Sequence, residues 1–136
     1  MPSIIRECLT GLPPRVEAVA RMEGIKPRAA ARSVARGRLV IPANPRRSHR
    51  PCGIGEGCRV KVNVNIGTSA QRCDPALEEA KARAALQNGA DTLMDLSTGG
   101  DLPAVRRMVL SMDVPVGTVP VYEAVRKAGS AADVDA

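Results

Sequence analysis

Amide side chains alternate with apolar ones along residues 59–66, a segment typical of a β-strand. One face would carry branched apolar side chains, and the other would carry Lys61, Asn63 and Asn65. Strands inside parallel sheets are normally apolar on both faces, so a polar inner face indicates a cavity that binds a ligand. An edge strand with a solvated face is the alternative, and the residues alone leave both open.

Two more side chains with binding chemistry fall on later strand-like segments. The ring of Tyr122, the only aromatic residue, would end the third segment, at the edge where α/β proteins bind ligands. Met94 lies in the second segment, beside Asp95. Ordinary packing is the alternative role for both residues, and periodicity does not fix which face of the second segment turns inward.

Glycine-rich stretches, a histidine and four cysteines are further candidate sites. Residues 66–69 and 97–100 follow strands and precede helices, where backbone N–H groups can hold an anion, but tight turns are the ordinary interpretation. His49 lies among arginines that oppose metal binding, so we interpret it as a solvated loop residue. The cysteines are too widely spaced for a zinc or redox motif and are predicted to be free thiols: Cys8, Cys52, Cys58 and Cys73.

The elements that position these groups change character near residue 59. Before it, prolines and glycines delimit predicted helices at 15–23 and 27–35, followed by a β-like run at 38–43. After it, three strand-like segments alternate with helices capped by Asp74 and Asp101, and a last helix is predicted at 123–128. The strands are predicted at 59–66, 91–97 and 114–122.

Strands separated by helices of this length join most simply as right-handed crossovers in a parallel sheet. The sequence therefore predicts an α/β fold in three parts: an N-terminal arm at 1–58, the sheet and its helices at 59–128, and a flexible tail at 129–136.

Charge is spread unevenly along the chain. Residues 1–61 hold thirteen Lys and Arg against four Asp and Glu, and the remainder holds seven against ten. A basic arm suits a phosphate-bearing ligand, a polyanion or an acidic neighbour, but without interleaved aromatic residues nucleic acid is a weaker candidate. No apolar run approaches bilayer length, and Arg6 and Glu7 interrupt any signal-peptide core, so we expect a cytoplasmic location and no membrane partner.

Several long motifs, taken together and in order, resemble the ThiC family of phosphomethylpyrimidine (thiamine-pyrimidine) synthases. The likeness runs from about Leu12 to Lys127. The motifs that carry it are residues 35–44 (ARGRLVIPAN), 53–57 (GIGEG), 61–69 (KVNVNIGTS), 89–101 (GADTLMDLSTGGD) and 115–122 (PVGTVPVY).

This resemblance implies a lyase that uses S-adenosylmethionine, a [4Fe–4S] cluster and a second divalent metal. Such a radical SAM enzyme of thiamine biosynthesis converts aminoimidazole ribonucleotide to hydroxymethylpyrimidine phosphate, releasing formate and carbon monoxide. The family's substrate contacts would fall on Asn65, Met94 and Tyr122. The implied fold is a TIM-type (β/α) barrel in a homodimer, of which this chain would be an incomplete N-terminal piece: the arm and the first three parallel strands.

The chain departs from the family's pattern in one respect that affects activity. The family's iron–sulfur cysteines form a C-x2-C-x4-C motif, which does not occur here, and its metal-binding histidines and later strands are also absent from the sequence. We therefore expect no catalytic or metal-ligating residue in this chain, which by itself should be inactive without the missing C-terminal part.

Two alternative functions remain open, and one loop has no assigned role. The chain resembles the related 5-hydroxybenzimidazole synthases equally well, and these residues do not separate the two products. An interpretation of another class is a non-catalytic remnant or a partner-binding module. The arginine-rich loop at 45–52 has no role that the resemblance explains.

Overall fold

A computed structural model describes residues 3–134 of the chain. The described residues form two compact units, one ending at Lys61 and the other beginning at Val62. Each unit has its own apolar core. The predicted arm and tail include residues 1, 2, 135 and 136, which lie outside the described part of the chain.

The first unit is mainly helical. Its elements are α1 (Ile4–Thr10), α2 (Pro14–Glu23), α3 (Pro27–Ala35), β1 (Leu39–Val40) and β2 (Ile54–Gly55). The helices α2 and α3 confirm the prediction: α2 begins at Pro14, one residue before the predicted start, and α3 begins at Pro27 as expected. Their buried faces meet in a core that contains Val16, Ala20, Ala30, Val34 and Leu39.

Two features of this unit were not predicted from the sequence. Helix α1 buries none of its seven residues fully; Ile4 and Cys8 pack against the core and are only partly buried, a short apolar signal. The β-like run shrinks to β1, which pairs antiparallel with β2 through Leu39–Gly55 and Val40–Ile54. Pro42 has no backbone N–H to donate and limits the strand, while Gly55 lets β2 approach because a Cβ there would overlap the carbonyl oxygen of Arg38.

A buried ion pair anchors the segment that follows β2. The Lys61 ammonium lies 2.9 Å from one carboxylate oxygen of Glu23, and the Arg59 backbone N–H donates to the other at 3.0 Å. Lys61 also donates to the carbonyl oxygen of Arg59 at 2.8 Å. Burial alone would raise the pKa of Glu23, but the hydrogen bonds and charges of Lys61 and Arg59 outweigh it, so this pKa lies below its ordinary value.

Stability should therefore depend on the ionisation of Glu23. Because its folded pKa is lowered, the carboxylate stabilises the fold above the ordinary glutamate pKa of about 4.3, and this contribution disappears as the pH falls through the folded value. We expect Glu23→Gln to lower the free energy of unfolding by about 2 kcal/mol at pH 7 but by much less at pH 3. Urea unfolding of the original chain and of Glu23→Gln between pH 3 and pH 7 checks this prediction. A difference in the free energy of unfolding that does not change with pH would contradict it.

The second unit alternates strands with helices. Its elements are β3 (Asn63–Ile66), α4 (Pro75–Gln87), β4 (Thr92–Asp95), α5 (Leu102–Leu110), β5 (Val116–Thr118), α6 (Pro120–Ala128) and a 3₁₀ turn (Ala131–Asp133). The strands form a parallel sheet in the order β3-β4-β5. Asp74 and Asp101 cap α4 and α5 as predicted, each accepting a backbone N–H with its side chain. The predicted α/β class is confirmed.

One face of this sheet is covered by both connecting helices. Ile66 and Leu93 pack with Ala82 of α4 and with Val105 and Val109 of α5 in a single core. Val64 and Val116 lie against the same core. Successive crossovers thus place α4 and α5 on the same face.

All three strands are shorter than predicted, and the first is the clearest correction. Val60 is 90% exposed and Val62 is 52% exposed, so the predicted apolar face begins only at Val64. The sheet starts where Asp91 meets Val62: the Asp91 carboxylate accepts the Val62 N–H at 2.9 Å, and the Asp91 N–H donates to the Val62 carbonyl oxygen at 2.9 Å. Residues before Val62 bond to Glu23 instead.

The third predicted strand is wrong at its C-terminal end. Strand β5 stops at Thr118, and Pro120 is the first residue of α6, a position that proline favours because its ring has the helical φ and it needs no donor. Tyr122 therefore lies in the first turn of a helix and not on a strand.

Glu78 holds the end of β3 against α4. Its buried carboxylate accepts the Gly67 backbone N–H at 2.7 Å and contacts the Lys81 ammonium at 2.6 Å. We expect Glu78→Ala to destabilise the chain by about 2 kcal/mol, since a partly buried N–H loses its acceptor. Glu79→Ala removes only an exposed ion pair to Arg83 and should change stability by less than about 0.5 kcal/mol. Thermal unfolding of the two variants checks this, and equal losses would contradict it.

Candidate substrate-binding surface

The face of the parallel sheet opposite α4 and α5 carries polar side chains and one thioether. Side chains alternate along a strand, so Asn63 and Asn65 project away from the core that Val64 and Ile66 join. The register pairs Asn63 with Thr92, Asn65 with Met94, and Met94 with Gly117. Asn65, Met94 and Gly117 thus form a row across the three strands, which we call the substrate face together with Asn63 and Thr92.

Directed hydrogen bonds order the amides of this face. The Thr92 hydroxyl donates to the Asn63 Oδ1 at 2.8 Å, and the Asn63 Nδ2 donates to the Asn65 Oδ1 at 3.2 Å. Within residues 3–134 the Asn65 Nδ2 makes no hydrogen bond, so its N–H groups are available to an acceptor on a ligand. Thr92 is not among the site residues predicted from the sequence. The pattern that could have identified it is its position two residues before Met94, as Asn63 lies two residues before Asn65.

Met94 is positioned by the absence of a side chain opposite it. A Cβ added at Gly117 would overlap the Met94 Sδ, so the thioether lies over the backbone of β5. Periodicity did not fix the face that Met94 occupies; the register with Asn65 does. The structure therefore brings Asn65 and Met94 together.

Tyr122 is placed differently from the prediction. Its side chain is 38% exposed in the first turn of α6, and within the described residues its hydroxyl makes no hydrogen bond. Helix α6 follows the C-terminal end of β5, which is also the edge where β3 and β4 end. Tyr122 thus lies near the C-terminal edge of the sheet, but it does not share the row of Asn65 and Met94.

An ion pair fixes the helix that carries Tyr122. Glu123 lies 2.6 Å from Arg106 of α5 and 2.8 Å from Lys127. Hydrogen bonds from Lys127 and Arg106 lower the pKa of Glu123 below its ordinary value. The carboxylate therefore joins α6, the helix that contains Tyr122, to α5.

Hydrogen bonds join the two glycine-rich loops at this edge to each other. The Thr68 N–H donates to the Ser97 Oγ at 3.1 Å, and its hydroxyl donates to the Gly99 carbonyl oxygen at 2.6 Å. The Thr98 N–H returns to the Thr68 carbonyl oxygen at 2.8 Å, and the Gly67 N–H is bound by Glu78. Because these donors are already bonded, the structure favours the tight-turn interpretation.

Comparison with known proteins assigns the family. A sequence profile of the radical SAM ThiC family matches residues 4–136, nearly the whole chain. The chain belongs to this family. The resemblance stated from the motifs is thereby confirmed.

Relatives within the ThiC family include enzymes with two different products. The chain is 56% identical to a phosphomethylpyrimidine synthase of Methanopyrus kandleri over 125 residues, covering 90% of this chain and 29% of the relative. It is 54% identical to one from Thermus thermophilus over 111 residues, covering 78% and 25%. It is 52% identical to a 5-hydroxybenzimidazole synthase of Geobacter sulfurreducens over 112 residues, covering 82% and 26%. The chain thus spans under a third of the length of these curated relatives.

The ThiC family implies S-adenosylmethionine and an iron–sulfur cluster in the full enzyme, but the residues of this chain do not fit the cluster. Among residues 3–134, no three His, Cys, Asp or Glu side chains lie close enough to hold a metal ion. Cys8 and Cys58 pack against the core of the first unit, and burial raises the pKa of both, which favours the thiol over the thiolate that iron binds. The described residues therefore offer no site for the cluster.

None of the helices within residues 3–134 is long and apolar enough to cross a membrane.

Proposed function

We propose that this chain supplies part of the substrate pocket of a phosphomethylpyrimidine synthase, with Asn65, Met94 and Tyr122 as substrate contacts. The proposed substrate is aminoimidazole ribonucleotide and the proposed product is hydroxymethylpyrimidine phosphate. The observation that carries the proposal is the row of Asn65, Met94 and Gly117 on a sheet face that no helix of the second unit covers.

The amide of Asn65 suits the polar edge of such a substrate. Its Oδ1 accepts from Asn63, so the side chain presents its Nδ2 as a donor in a fixed direction. An acceptor on the substrate, such as an imidazole nitrogen or a ribose oxygen, would extend the series of hydrogen bonds that runs from Thr92 through Asn63 to Asn65. Asn63 and Thr92 then act as positioning residues.

The thioether of Met94 suits the flat apolar part of the substrate. A methionine is flexible and polarizable, so it can pack on an imidazole ring that the neighbouring amide holds at its edge. Gly117 leaves room for this thioether on the β5 side of the row. Tyr122, held on α6 through Glu123, would add its ring or hydroxyl from the C-terminal edge of the sheet.

The winding of the sheet supports a (β/α) barrel. Its strands follow one another in chain order, and α4 and α5 lie on the same face. A doubly wound sheet places helices on both faces, whereas a barrel has all helices outside and its ligand at the C-terminal ends of the strands. We propose that the remaining strands come from a C-terminal part of the protein, that S-adenosylmethionine, the [4Fe–4S] cluster and the second divalent metal bind in that part, and that the completed enzyme is a cytoplasmic homodimer.

Complementation tests this function. The chain is mixed with the C-terminal part of the Methanopyrus kandleri synthase under anaerobic, reducing conditions with S-adenosylmethionine and aminoimidazole ribonucleotide. We expect hydroxymethylpyrimidine phosphate from the mixture and none from either part alone. No product, while the intact M. kandleri enzyme is active, would contradict the proposal and favour a non-catalytic, partner-binding role.

The same assay separates the two products of the family. The 52% identity to the Geobacter enzyme makes 5-hydroxybenzimidazole the second candidate product. Mass analysis of the reaction with a C-terminal part from each kind of relative shows which product forms.

A further inference from the structure

A small pocket in the first unit is lined by basic side chains from two elements. Arg15 lies in the first turn of α2, and Arg47 and His49 lie in the loop between β1 and β2. Asn44 and Ser48 add an amide and a hydroxyl to the lining of a cavity of about 80 Å³. No acidic side chain lines this cavity. This is the arginine-rich loop that the family resemblance does not explain.

Local hydrogen bonds give the loop its shape. The Asn44 side chain accepts the Arg46 N–H at 2.9 Å, and the Arg47 N–H donates to the Asn44 carbonyl oxygen at 3.4 Å. The His49 Nδ1 lies 2.9 Å from the Arg50 carbonyl oxygen, which can only accept, so Nδ1 carries the proton. The Nε2 can then accept a hydrogen bond from an O–H group of a ligand.

The sequence around the pocket is strongly basic. No Asp or Glu occurs between Glu23 and Glu56, a stretch that holds eight Lys and Arg. Within residues 3–134, Arg15 forms no ion pair. Two guanidinium groups around one small cavity repel each other, and an anion bound between them would be attracted to both.

We propose that this pocket binds a phosphate group, either inorganic phosphate or the phosphoryl end of a small phosphate monoester. The volume decides the size: about 80 Å³ is two to three times the roughly 30 Å³ that a water molecule occupies, which accommodates one tetrahedral oxyanion. Pockets for whole drug-sized ligands measure about 300–1,000 Å³, so the rest of an ester would extend outside. Guanidinium groups match phosphate oxygens in geometry and charge. This site does not depend on the proposed substrate face.

Calorimetry with the whole chain tests the site, using inorganic phosphate, adenosine monophosphate and ribose 5-phosphate as separate probes. We expect Arg15→Gln and Arg47→Gln each to weaken binding about tenfold, since each removes one charge-assisted hydrogen bond. The matched control is Arg36→Gln, which removes the same charge from an exposed position outside the pocket and should change binding less than twofold. Arg47→Lys keeps the charge and should weaken binding less than Arg47→Gln does.

The outcomes separate the sources and the alternatives. Tighter binding of a monoester than of inorganic phosphate identifies an ester as the ligand, and equal binding identifies the free ion. No binding of any probe at low salt, or an equal loss in all three glutamine variants, would overturn the site. Binding of a single-stranded oligonucleotide that Arg36→Gln weakens as much as Arg47→Gln would overturn it in favour of a general basic surface. Unfolding midpoints of each variant show that the fold is retained.

Discussion

Replacement of Asn65 by alanine is expected to lower kcat/KM of the complemented enzyme about a hundredfold while leaving the stability of the chain nearly unchanged. The amide is exposed in the structure and contributes little to folding, but in a closed pocket a substrate acceptor would lose its only donor on this strand. A loss of about a hundredfold corresponds to roughly 2.7 kcal/mol of transition-state binding. Steady-state kinetics with aminoimidazole ribonucleotide measure kcat/KM of the variant, and urea unfolding measures its free energy of unfolding.

Asn88→Ala provides the matched control for this variant. Asn88 is an exposed asparagine that caps the end of α4 by donating to the Ala84 carbonyl oxygen at 2.8 Å. Its loss should leave kcat/KM within about twofold, because it lies on an element behind the sheet. Asn63→Ala should have an intermediate effect, since it frees the Asn65 amide without removing it. Equal activity of the Asn65 and Asn88 variants would remove Asn65 from the substrate pocket.

Substitution of Gly67 by alanine is expected to destabilise the second unit by about 4 kcal/mol. Gly67 has φ of 152°, and a Cβ there would lie 2.6 Å from the Ser97 nitrogen and 2.7 Å from the Leu96 carbonyl carbon. These are backbone atoms of the neighbouring loop, so they cannot move aside without separating the ends of β3 and β4. Chemical unfolding of the variant measures the loss.

Gly89→Ala isolates the contact from the backbone strain. Gly89 also has a positive φ of 91°, but a Cβ there would meet nothing within 4 Å. It should therefore lose only about 1 kcal/mol, the strain of a left-handed residue. If both variants lost the same amount, the close approach of the two loops would have no energetic importance.

Local signals were sufficient for helices α2 to α5. Asp74 and Asp101 cap α4 and α5, and Pro14 and Pro27 begin α2 and α3, because capping depends on a few adjacent residues. The alternation of strand-like and helical segments after residue 59 likewise predicts the parallel α/β unit. Strand ends were less predictable, since they depend on distant partners: Asp91 begins the pairing at Val62, and Glu23 binds the residues before it.

The candidate site was predictable in part. Asn65 and Met94 came from motif resemblance, and only the register between β3 and β4 shows that they share a face. The β-branched residues of segment 114–122 predict a strand for Tyr122. Pro120 favours the first turn of a helix, however, and Tyr122 lies in the first turn of α6. The basic pocket was not predictable, because Arg15 and His49 are far apart in sequence and meet only through the fold of the loop.

The most direct test of the substrate face is the methyl signal of Met94 in the complemented enzyme, with methionine methyl groups labelled in this chain alone. Addition of aminoimidazole ribonucleotide should shift the Met94 signal and leave the exposed Met22 of the first unit unchanged. An unmoved Met94 signal, at a ligand concentration that calorimetry shows to be saturating, would contradict the placement of the substrate on this face of the sheet.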